Sequence, residues 1–421
     1  MSSSDVSLLQ PSPLLLVIPS VGAAKDGDTF ILDEKMLVGW QYFAKHWPGR
    51  TRFVFRETDR KRLTFSKRYE ADALPGEIEM IGATAGIADE TLAMASVVLA
   101  SGDSFDSFDI AGRARRLNVP VCYIIEYTLG TRLRIEAESP RPLLQRLKSM
   151  LWLMMQEPKR RAAFRAASAL QANGVPAARA YRSTSPNILT YFDTRLARDM
   201  IATDREVEQR VERLTKGDPL RLIFTGRLEP LKGAHHLIPV ARALLELGLD
   251  FRLDIYGTGS LQAAIEQAIA GDRGLAAHVE VHRPLDFATR LVPLLRTSPD
   301  LFVCCHIQAD PSCTYSETLG CGVPIVGYDN EAWRGMLEVA DFGWKTKLGD
   351  AQVLAEKIVW LDRNRPLVAA AAERARDFGH QHCFESVFEM RVRHLMEVAG
   401  LPAPVANSSN PNVGLRSIAE I

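Results

Sequence analysis

The sequence predicts an α/β protein built from two Rossmann-like, doubly wound domains that face each other across a cleft. The chain has 421 residues, which is long for a single domain when a domain takes roughly 150 residues. Apolar runs of strand length alternate with helical stretches in the first half, and the alternation begins again at Leu220. Such nearly continuous apolar strands are typical of parallel sheets that helices cover on both faces.

The first half supplies the strands and a crossover helix of one such sheet. Apolar residues recur at helical spacing from Asp33 to His46, so we expect a helix there. The predicted strands are PLLLVIPS (13–20), TRFVFRE (51–57), SVVLAS (96–101) and VPVCYIIEY (119–127).

The second half repeats strand and helix with short turns, which requires βαβ crossovers. A helix predicted from Ala234 to Leu247 ends at Gly248, and another begins at Leu261. The predicted strands are RLIFTG (221–226), FRLDIYG (251–257), HVEVH (278–282), DLFVCCH (300–306) and PIVGY (324–328).

The segment LTKGDP (214–219) contains a glycine and a proline and is the predicted linker between the halves. The last residues are polar and rich in proline, which is typical of a disordered tail. The predicted division is a disordered N-terminus at 1–12, a first domain at 13–214, a second domain at 215–379, a C-terminal helix at 380–400 that can pack back on the first domain, and a disordered tail at 401–421.

The composition is that of an ordinary globular protein. Apolar residues make up 47% and charged residues 24%, and the 51 basic residues balance the 51 acidic ones. No global field therefore draws the molecule to nucleic acid, and any attraction to an anionic membrane must be local. The six cysteines form no CxxC pair, which argues against a zinc knuckle or a disulfide framework and favours a reducing compartment. The N-terminus has no basic region followed by a long apolar run, so we expect a cytoplasmic protein.

The first motif with chemical content is TGRLEPLKG (225–233). Gly226 and Arg227 follow a predicted strand, and Lys232 and Gly233 precede a helix. Ligands of α/β sheets bind at the carboxyl ends of strands, where backbone N–H groups and two cations can hold a diphosphate. A solvated turn with incidental basic residues is the alternative reading.

The second motif, DIYGTGS (254–260), is weaker. Gly257 and Gly259 allow a tight turn between strand and helix, but Gln262 stands where a dinucleotide fingerprint needs a third glycine. A plain glycine turn is favoured, and a nicotinamide-dependent dehydrogenase is the least favoured function.

The third motif is the segment HIQADPSCTYSETLGCGVPIVGYDNEAW (306–333). We predict a polar loop and then a short helix that starts near Ser316, with Glu317 in its first turn. The carboxylates of Asp310 and Glu317 can accept hydrogen bonds from sugar and ribose hydroxyls, although helix capping also explains Glu317. Backbone N–H groups that can face a phosphate or a sugar hydroxyl belong to Ser312, Cys313, Thr314 and Tyr315.

These three segments, in this order and spacing, resemble the C-terminal domain of family 4 (GT4) retaining glycosyltransferases of the GT-B fold, over roughly 220–375. The resemblance implies a nucleoside-diphosphate-sugar donor, a UDP- or GDP-sugar, held between the domains, with no cofactor and no obligatory metal. It implies that Arg227 and Lys232 neutralise the donor diphosphate. It also implies that Glu317 is the second glutamate of the E-x7-E motif, which holds the ribose.

Two positions depart from the family pattern. The first glutamate of the motif falls at Ala309, and the nearest acid is Asp310, one place later. Either the loop shifts so that Asp310 contacts the sugar, or that contact is lost. Similar enzymes carry a histidine in the run CYIIEYTLG, where this chain has Ile125 followed by Glu126. Glu126 can approach the donor or acceptor as a catalytic group, or it can form a salt bridge.

The stretch 141–167 has seven basic residues against the single acidic Glu157, with Leu, Met and Trp152 between them. A basic amphipathic stretch of this kind can lie on an anionic membrane surface. A core-facing helix with a solvated basic back is the other reading.

The resemblance therefore implies a hexosyltransferase that acts on a glycan or a lipid-linked glycan, as in polysaccharide biosynthesis. Two alternatives stay open, a sugar-nucleotide epimerase of the same fold and a non-catalytic protein that binds a nucleotide sugar. Acid/base carboxylates would be needed by the epimerase, and the alanine at 309 favours the binding protein.

Overall fold

The structure is a computed structural model that describes residues 12–63 and 66–402. Nearly all of the two segments predicted to be disordered, 1–12 and 401–421, lies outside these described residues.

The first lobe contains a sheet of seven described strands, all parallel, in the order β10-β9-β8-β7-β1-β4-β6. Three further strands, β2, β3 and β5, form a small antiparallel sheet beside it. The strands are β1 Leu14–Ile18, β2 Ala24–Asp26, β3 Thr29–Asp33, β4 Arg50–Arg56, β5 Ser66–Glu70, β6 Glu77–Ile81, β7 Val97–Ser101, β8 Val121–Ile125, β9 Ala169–Asn173 and β10 Ile188–Tyr191.

The four strands predicted in this half are confirmed as β1, β4, β7 and β8. The strands β1, β7 and β8 are buried along nearly their whole length, which is why their sequences are almost purely apolar. The strand β4 has a buried apolar centre and arginines at positions that are only partly buried or exposed. The helices of the lobe are α1 Glu34–His46, α2 Asp89–Ala93, α3 Ile110–Arg116, α4 Leu129–Ala137, α5 Leu143–Ala166 and α6 Val175–Tyr181.

The second lobe has six described parallel strands in the order β13-β12-β11-β14-β15-β16. The order reverses between β11 and β14, as in a doubly wound dinucleotide-binding sheet, and a crevice opens at such a reversal. The strands are β11 Leu220–Thr225, β12 Phe251–Tyr256, β13 Val279–His282, β14 Leu301–Cys304, β15 Ile325–Tyr328 and β16 Gly343–Thr346. The helices are α7 Asp204–Lys216, α8 Leu237–Glu246, α9 Gln262–Ala270, α10 Arg273–His278, α11 Val292–Thr297, α12 Cys313–Gly320, α13 Glu331–Leu337, α14 Ala351–Asp362, α15 Arg365–Gln381 and α16 Phe384–Val398.

The helices near the two predicted domain boundaries do not follow those boundaries in their contacts. The helix α7 packs on α11 and α15 of the second lobe, so its contacts favour a boundary before Asp204 rather than at 214–215. The helix α15 runs to Gln381, past the predicted boundary at 379. The helix α16 packs on α1, β8 and β10 of the first lobe, with Phe388 and Leu395 in its core.

The stretch 141–167 forms the helix α5, whose two halves differ. In the C-terminal half, Arg160 and Phe164 are buried in the first lobe. In the N-terminal half, leucine and methionine side chains are exposed to solvent. The reading of a core-facing helix is therefore right for the C-terminal half alone.

Candidate functional site

Lys232 and Asp310 meet at the reversal of strand order in the second lobe. Lys232 lies in the turn after β11, and Asp310 lies in the loop after β14, the neighbouring strand. The Lys232 ammonium is 2.9 Å from one carboxylate oxygen of Asp310 and 3.2 Å from the other. The side chain of Lys232 is buried. Two predicted site residues thus form one ion pair at the edge where α/β sheets bind ligands.

The turn that carries Lys232 is pressed against the end of β14. Gly233 has a φ of 65°, and a Cβ atom at this position would lie 1.7 Å from the carbonyl oxygen of Cys305. The N–H of Gln308 donates to the carbonyl of Leu231 at 3.1 Å. Glycine is the residue that this close approach and this backbone conformation both require.

Arg227 lies at the same edge but is exposed. Within the part of the chain that the structure describes, its side chain has no hydrogen bond or salt bridge, so the guanidinium is free to approach an anion. The structure does not bring it into contact with the pair of Lys232 and Asp310. The N–H of the preceding Gly226 donates to the carbonyl of Tyr256 at 3.0 Å, so this N–H is already satisfied without a phosphate.

The helix α12 begins earlier than predicted. It starts at Cys313, and Ser312 occupies the N-cap position with an extended backbone. The predicted start near Ser316 is wrong, since the N-cap position falls on Ser312, although the Ser312 side chain makes no capping hydrogen bond. Glu317 is therefore in the second turn, too far along the helix for an N-terminal capping role.

Two of the four predicted N–H donors are used within the loop itself. The N–H of Ser312 donates to the carbonyl of Asp310 at 2.8 Å, and that of Tyr315 donates to the carbonyl of Ser312 at 3.1 Å. Among the described residues, the N–H groups of Cys313 and Thr314 have no acceptor, as is normal in the first turn of a helix. These two N–H groups are the ones that remain available to a ligand.

The Tyr315 side chain belongs to the core. Its ring is buried and stacks on Trp333 with 5.5 Å between centroids, and its hydroxyl accepts a hydrogen bond from the Asn330 amide at 3.0 Å. Burial, followed by the nearby thiol of Cys304, holds the pKa of the phenol well above its ordinary value of 10, and the hydrogen bond from Asn330 lowers it only in part. Tyr315 is a packing residue whose edge reaches the cavity described below.

Glu317 is buried and paired with a residue that sequence reasoning missed. Arg195 donates to both of its carboxylate oxygens, from Nε at 2.8 Å and from Nη2 at 3.1 Å. The guanidinium of Arg195 also lies 4.1 Å from the ring centroid of Phe287. Arg195 stands in the loop that connects the lobes, 122 residues from its partner, and no local pattern marks it.

Glu126 follows β8 and faces the second lobe. Its carboxylate accepts hydrogen bonds from the Asn173 amide at 2.8 Å and from the Tyr191 hydroxyl at 3.3 Å. Burial, followed by the nearby carboxylate of Asp193, raises its pKa from 4.5 to about 7. In the described part of the chain Glu126 forms no salt bridge, so the salt-bridge reading is wrong. Glu126 is instead a buried carboxyl group with a raised pKa.

The backbone at Glu126 is fixed by another residue without a sequence signal, Asp103. One Asp103 oxygen accepts from the N–H of Glu126 at 2.6 Å, and the other accepts from the guanidinium groups of Arg132 at 2.6 Å and Arg160 at 2.7 Å. Asp103 follows β7, the strand beside β8. It therefore holds the Glu126 loop at the carboxyl edge of the first sheet.

A cavity lies between the two lobes and brings part of the predicted site together. The first lobe lines it with Glu126 and Asn173, and the second lobe lines it with Ala309, Ser312 and Tyr315. Lys232, Asp310 and Glu317 lie behind this second-lobe wall, in or next to the same loop and helix. Hydrogen bonds that close the cavity join Thr131 Oγ1 to the Ala309 carbonyl at 3.4 Å and Arg134 to the Ile307 carbonyl at 3.3 Å.

The structure shows where Ala309 and Asp310 lie relative to the cavity. Ala309 is buried and presents a methyl group to the cavity. The carboxylate of Asp310 turns to Lys232 instead of the cavity. In this arrangement Asp310 is the partner of Lys232, and the motif position on the cavity wall is held by Ala309.

A group of three potential metal ligands lies away from the cavity, on the β12 and β13 edge of the second sheet. Asp254, Glu280 and His282 have ligand atoms within 4.8 Å of one another. Arg252 forms ion pairs with both carboxylates, at 3.1 Å to Asp254 and 2.5 Å to Glu280. A guanidinium therefore already compensates their charge.

Comparison with known proteins matches the second lobe to a family model and shows the fold of the chain. Residues 205–378 match the model of the family "Glycosyl transferases group 1". The phosphatidyl-myo-inositol mannosyltransferase of Mycobacterium leprae is 28% identical over 192 residues, 44% of this chain and 49% of that protein. The amylovoran biosynthesis glycosyltransferase AmsK of Erwinia amylovora is 29% identical over 177 residues, 39% of this chain and 42% of that protein. The match thus spans about half the length of these curated relatives.

Solved structures are similar over nearly the whole chain. Anabaena Alr3699/HepE in complex with UDP is 16% identical, with a TM-score of 0.60 over 91% of this chain and 99% of that one. Sucrose-phosphate synthase from Thermosynechococcus elongatus is 15% identical, with a TM-score of 0.59 over 90% of this chain and 97% of that one. The likeness confirms the predicted fold, two Rossmann-like domains in the GT-B arrangement. Within the described residues, no helix combines the length and the apolar character needed to span a membrane.

Proposed function

We propose that this protein is a family 4 glycosyltransferase that moves a sugar from a UDP- or GDP-sugar to a glycan or lipid-linked glycan, with retention and without a metal. The observation that carries the proposal is the ion pair of Lys232 and Asp310 at the strand-order reversal of a lobe that matches the group 1 glycosyltransferase family. The relatives named as a mannosyltransferase and a glycosyltransferase support the reaction class. The solved relative crystallised with UDP-glucose supports the donor class.

In this proposal the second lobe stabilises the leaving nucleoside diphosphate. Negative charge grows on the diphosphate as the bond to the sugar breaks, and preorganised cations favour that state. Lys232 is held in place by Asp310, so its ammonium needs no reorganisation. Arg227 is exposed and unpaired among the described side chains, so it can close over the diphosphate from the solvent side.

Glu126 is the proposed contribution of the first lobe. With a pKa of about 7 it is partly protonated at neutral pH, and it lines the cavity opposite Ser312. A neutral carboxyl can donate a hydrogen bond to a sugar hydroxyl and an ionised one can accept a proton from an acceptor hydroxyl. The cavity is where the donor sugar and the acceptor would meet.

The test is a thermal-shift panel of nucleoside diphosphates and their sugars on the full chain. A ligand at 100 times its Kd stabilises the protein by about 2.7 kcal/mol, so we expect UDP or GDP to raise Tm. Arg227→Ala should remove most of this shift and leave the unliganded Tm unchanged. The matched control is Arg221→Ala, because Arg221 is exposed on the same strand at its other end. If no nucleoside diphosphate raises Tm, or if Arg227→Ala behaves like the control, the proposal is wrong.

A nucleotide-sugar-binding protein without turnover is the second candidate, favoured by the methyl group of Ala309 at the motif position. Release of free nucleotide that depends on an added acceptor would support the transferase. Saturable binding with no release across a panel of acceptors would support the binding protein. Conversion of the sugar nucleotide without any acceptor would support an epimerase.

We also propose a cytoplasmic location. The six cysteines are all free, and five of them are buried. A chain with unpaired thiols throughout fits a reducing compartment.

A further inference from the structure

The N-terminal half of α5 presents an apolar surface to solvent, which we call the α5 face (residues 143–155). Seven of the 15 large apolar side chains that are exposed among the described residues belong to it. Leu144 is 81% exposed and Met155 63%. Apolar side chains this exposed are ordinary when single, but a contiguous group marks an interaction surface. The face comprises Leu143, Leu144, Leu147, Leu151, Met154 and Met155, with Trp152 at its edge.

The side chains of the α5 face share one side of the helix. Leu144, Leu147, Leu151 and Met155 follow one another at spacings of three, four and four residues, which places them in a row. Trp152 lies beside this row, its ring 4.3 Å from that of Phe105 in the first lobe. The opposite side of α5 packs on α3 and α4. The apolar row therefore has no partner within the described part of the chain.

Cations without acidic partners lie along α5 and near the end of α3, the helix that packs on it. Lys148 and Lys159 stand in the same row as Trp152 and Met155, at spacings of four, three and four residues. Together with Arg115 and Arg165, they are exposed and have no salt bridge within the described part of the structure. Two nearby acids are already compensated, since Glu136 pairs with Arg141 and Glu157 pairs with Arg161. The exposed Glu138 at the end of α4 has no ion pair among the described residues, so the cations still outnumber the unpaired acids. The result is an apolar stripe with a positive border.

We propose that the α5 face docks on the surface of an anionic lipid bilayer. The leucine and methionine side chains enter the boundary between headgroups and acyl chains, and the lysine and arginine side chains contact anionic headgroups. A second copy of this chain is the less favourable occupant, because a symmetric contact would place the two positive borders against each other. This inference does not depend on the transfer reaction.

The position of α5 in the fold gives the docking a direction. The helix α5 packs on α4, and α4 supplies Thr131 and Arg134, which bond to the second-lobe wall of the cavity. The C-terminal half of α5 also supplies Arg160 to Asp103, the residue that fixes the Glu126 backbone. Docking through α5 therefore places α4, which lines the cavity with Thr131, next to the helix that lies on the lipid surface. Under the proposed function, a lipid-linked acceptor would reach Glu126 from that side.

The experiment is flotation of the full chain with vesicles of phosphatidylcholine, with and without phosphatidylglycerol. We expect binding to the anionic vesicles that weakens as salt is raised, and little binding to the neutral ones. The triple variant Leu144→Gln, Leu151→Gln and Met155→Gln should bind the anionic vesicles about tenfold or more weakly. The matched control, Leu247→Gln, Val353→Gln and Leu367→Gln, changes three exposed apolar residues of the second lobe and should bind like the wild type.

A charge variant tests the positive border separately. Lys148→Glu, Lys159→Glu and Arg165→Glu together should lose binding to anionic vesicles while the unliganded Tm stays unchanged, because all three side chains are exposed. The proposal is overturned if the wild type does not float with anionic vesicles, or if both α5 variants float as well as it does. A concentration-dependent dimer that the apolar triple variant abolishes, without flotation of the wild type, would assign the face to a second copy instead. Flotation needs neither donor nor turnover, so its result is separate from that of the thermal-shift panel.

Discussion

The carboxyl group of Glu126 couples the cavity to pH. Its pKa of about 7 is raised by burial and by Asp193, so the folded protein keeps this proton up to a pH at which the unfolded chain has lost it. The unfolded chain releases the proton near pH 4.5, its ordinary value. The stabilisation is therefore complete below about pH 4.5 and is lost as the pH rises to about 7.

We expect Glu126→Gln to remove this loss. The difference in the free energy of unfolding, variant minus wild type, should grow by about 1–2 kcal/mol from pH 5 to pH 8. This value is discounted because part of the Glu126 side chain faces the cavity. Urea unfolding at the two pH values measures it. Glu90→Gln, at an exposed position of α2, is the control and should show no such change. Parallel pH curves for wild type and Glu126→Gln would contradict the assignment.

The bidentate pair of Arg195 and Glu317 makes a second prediction at this scale. Arg195→Ala leaves the buried Glu317 carboxylate without its cation, and we expect a loss of about 1–2 kcal/mol, because Arg195 itself is half-exposed. The control Arg205→Ala removes an exposed arginine of α7 and should cost under about 0.5 kcal/mol. Equal urea midpoints for the two variants would show that the pair contributes nothing to stability.

Sequence reasoning found the site residues that lie in motifs and missed those that depend on long-range contacts. Lys232 and Asp310 were predicted because each follows a strand. Arg195 and Asp103 stand in ordinary loops, and their partners are 122 and 23 residues away. A single sequence carries no signal for such pairs.

At the scale of elements, the turn between β11 and α8 is the most constrained piece of the site. We expect Gly233→Ala to destabilise the protein by more than about 2 kcal/mol, because the added Cβ meets the Cys305 carbonyl and the backbone is left-handed. Gly248→Ala is the matched control, since its φ is 73° but nothing lies within 4 Å of the added Cβ. It should cost only about 1 kcal/mol. Urea unfolding compares the two, and equal losses would mean that the approach to Cys305 is unimportant.

The elements that the sequence predicts best are those that are buried and also almost purely apolar. Such strands give apolar runs that cannot be mistaken, as in β1 and β7, where every residue is buried. The strand β9 is buried at every residue but was not predicted, because its sequence ALQAN contains a glutamine and an asparagine. The strands β2 and β5 were not predicted, because they lie at the surface and their side chains are mostly polar. The start of α12 was misplaced by three residues, since serine at 312 and serine at 316 are equally good N-cap candidates in sequence.

At the scale of the whole molecule, the last helix belongs to the first lobe in space. The buried residues Phe388, Val392 and Leu395 of α16 join the core formed with α1. Gln171 of β9 accepts a hydrogen bond from Arg391 at 2.9 Å and donates one to the Arg391 carbonyl at 3.0 Å. The core of the first lobe is therefore incomplete without residues from the far end of the chain.

We expect Leu395→Ala to weaken the first lobe selectively. Truncation of a fully buried leucine side chain destabilises a protein by about 2–5 kcal/mol. Here the destabilised part is the sheet of the first lobe, because α16 packs on it; Gln171 in that sheet bonds to Arg391 of α16, more than 200 residues away in sequence. Hydrogen exchange should speed up in β8 and β10 and stay unchanged in β14. Leu361→Ala, in the buried face of α14, should produce the reverse pattern. Faster exchange in both lobes for each variant would show that the lobes unfold as one unit.

The return of α16 has a consequence for motion. The chain crosses between the lobes twice, in the loop before α7 and at His382 and Cys383. Two hydrogen bonds join these crossings. The N–H of Phe384 donates to the Leu196 carbonyl at 2.8 Å, and the N–H of Arg198 donates to the Glu385 carboxylate at 2.9 Å. Two connecting segments that lie side by side form a hinge. Such a hinge permits rotation of the lobes about one short axis and resists sliding or separation of the lobes. Rotation about that axis would separate Lys35 of the first lobe from Cys313 of the second, whose side chains are 3.2 Å apart. Lys232 and Asp310 would move together, because both belong to the second lobe.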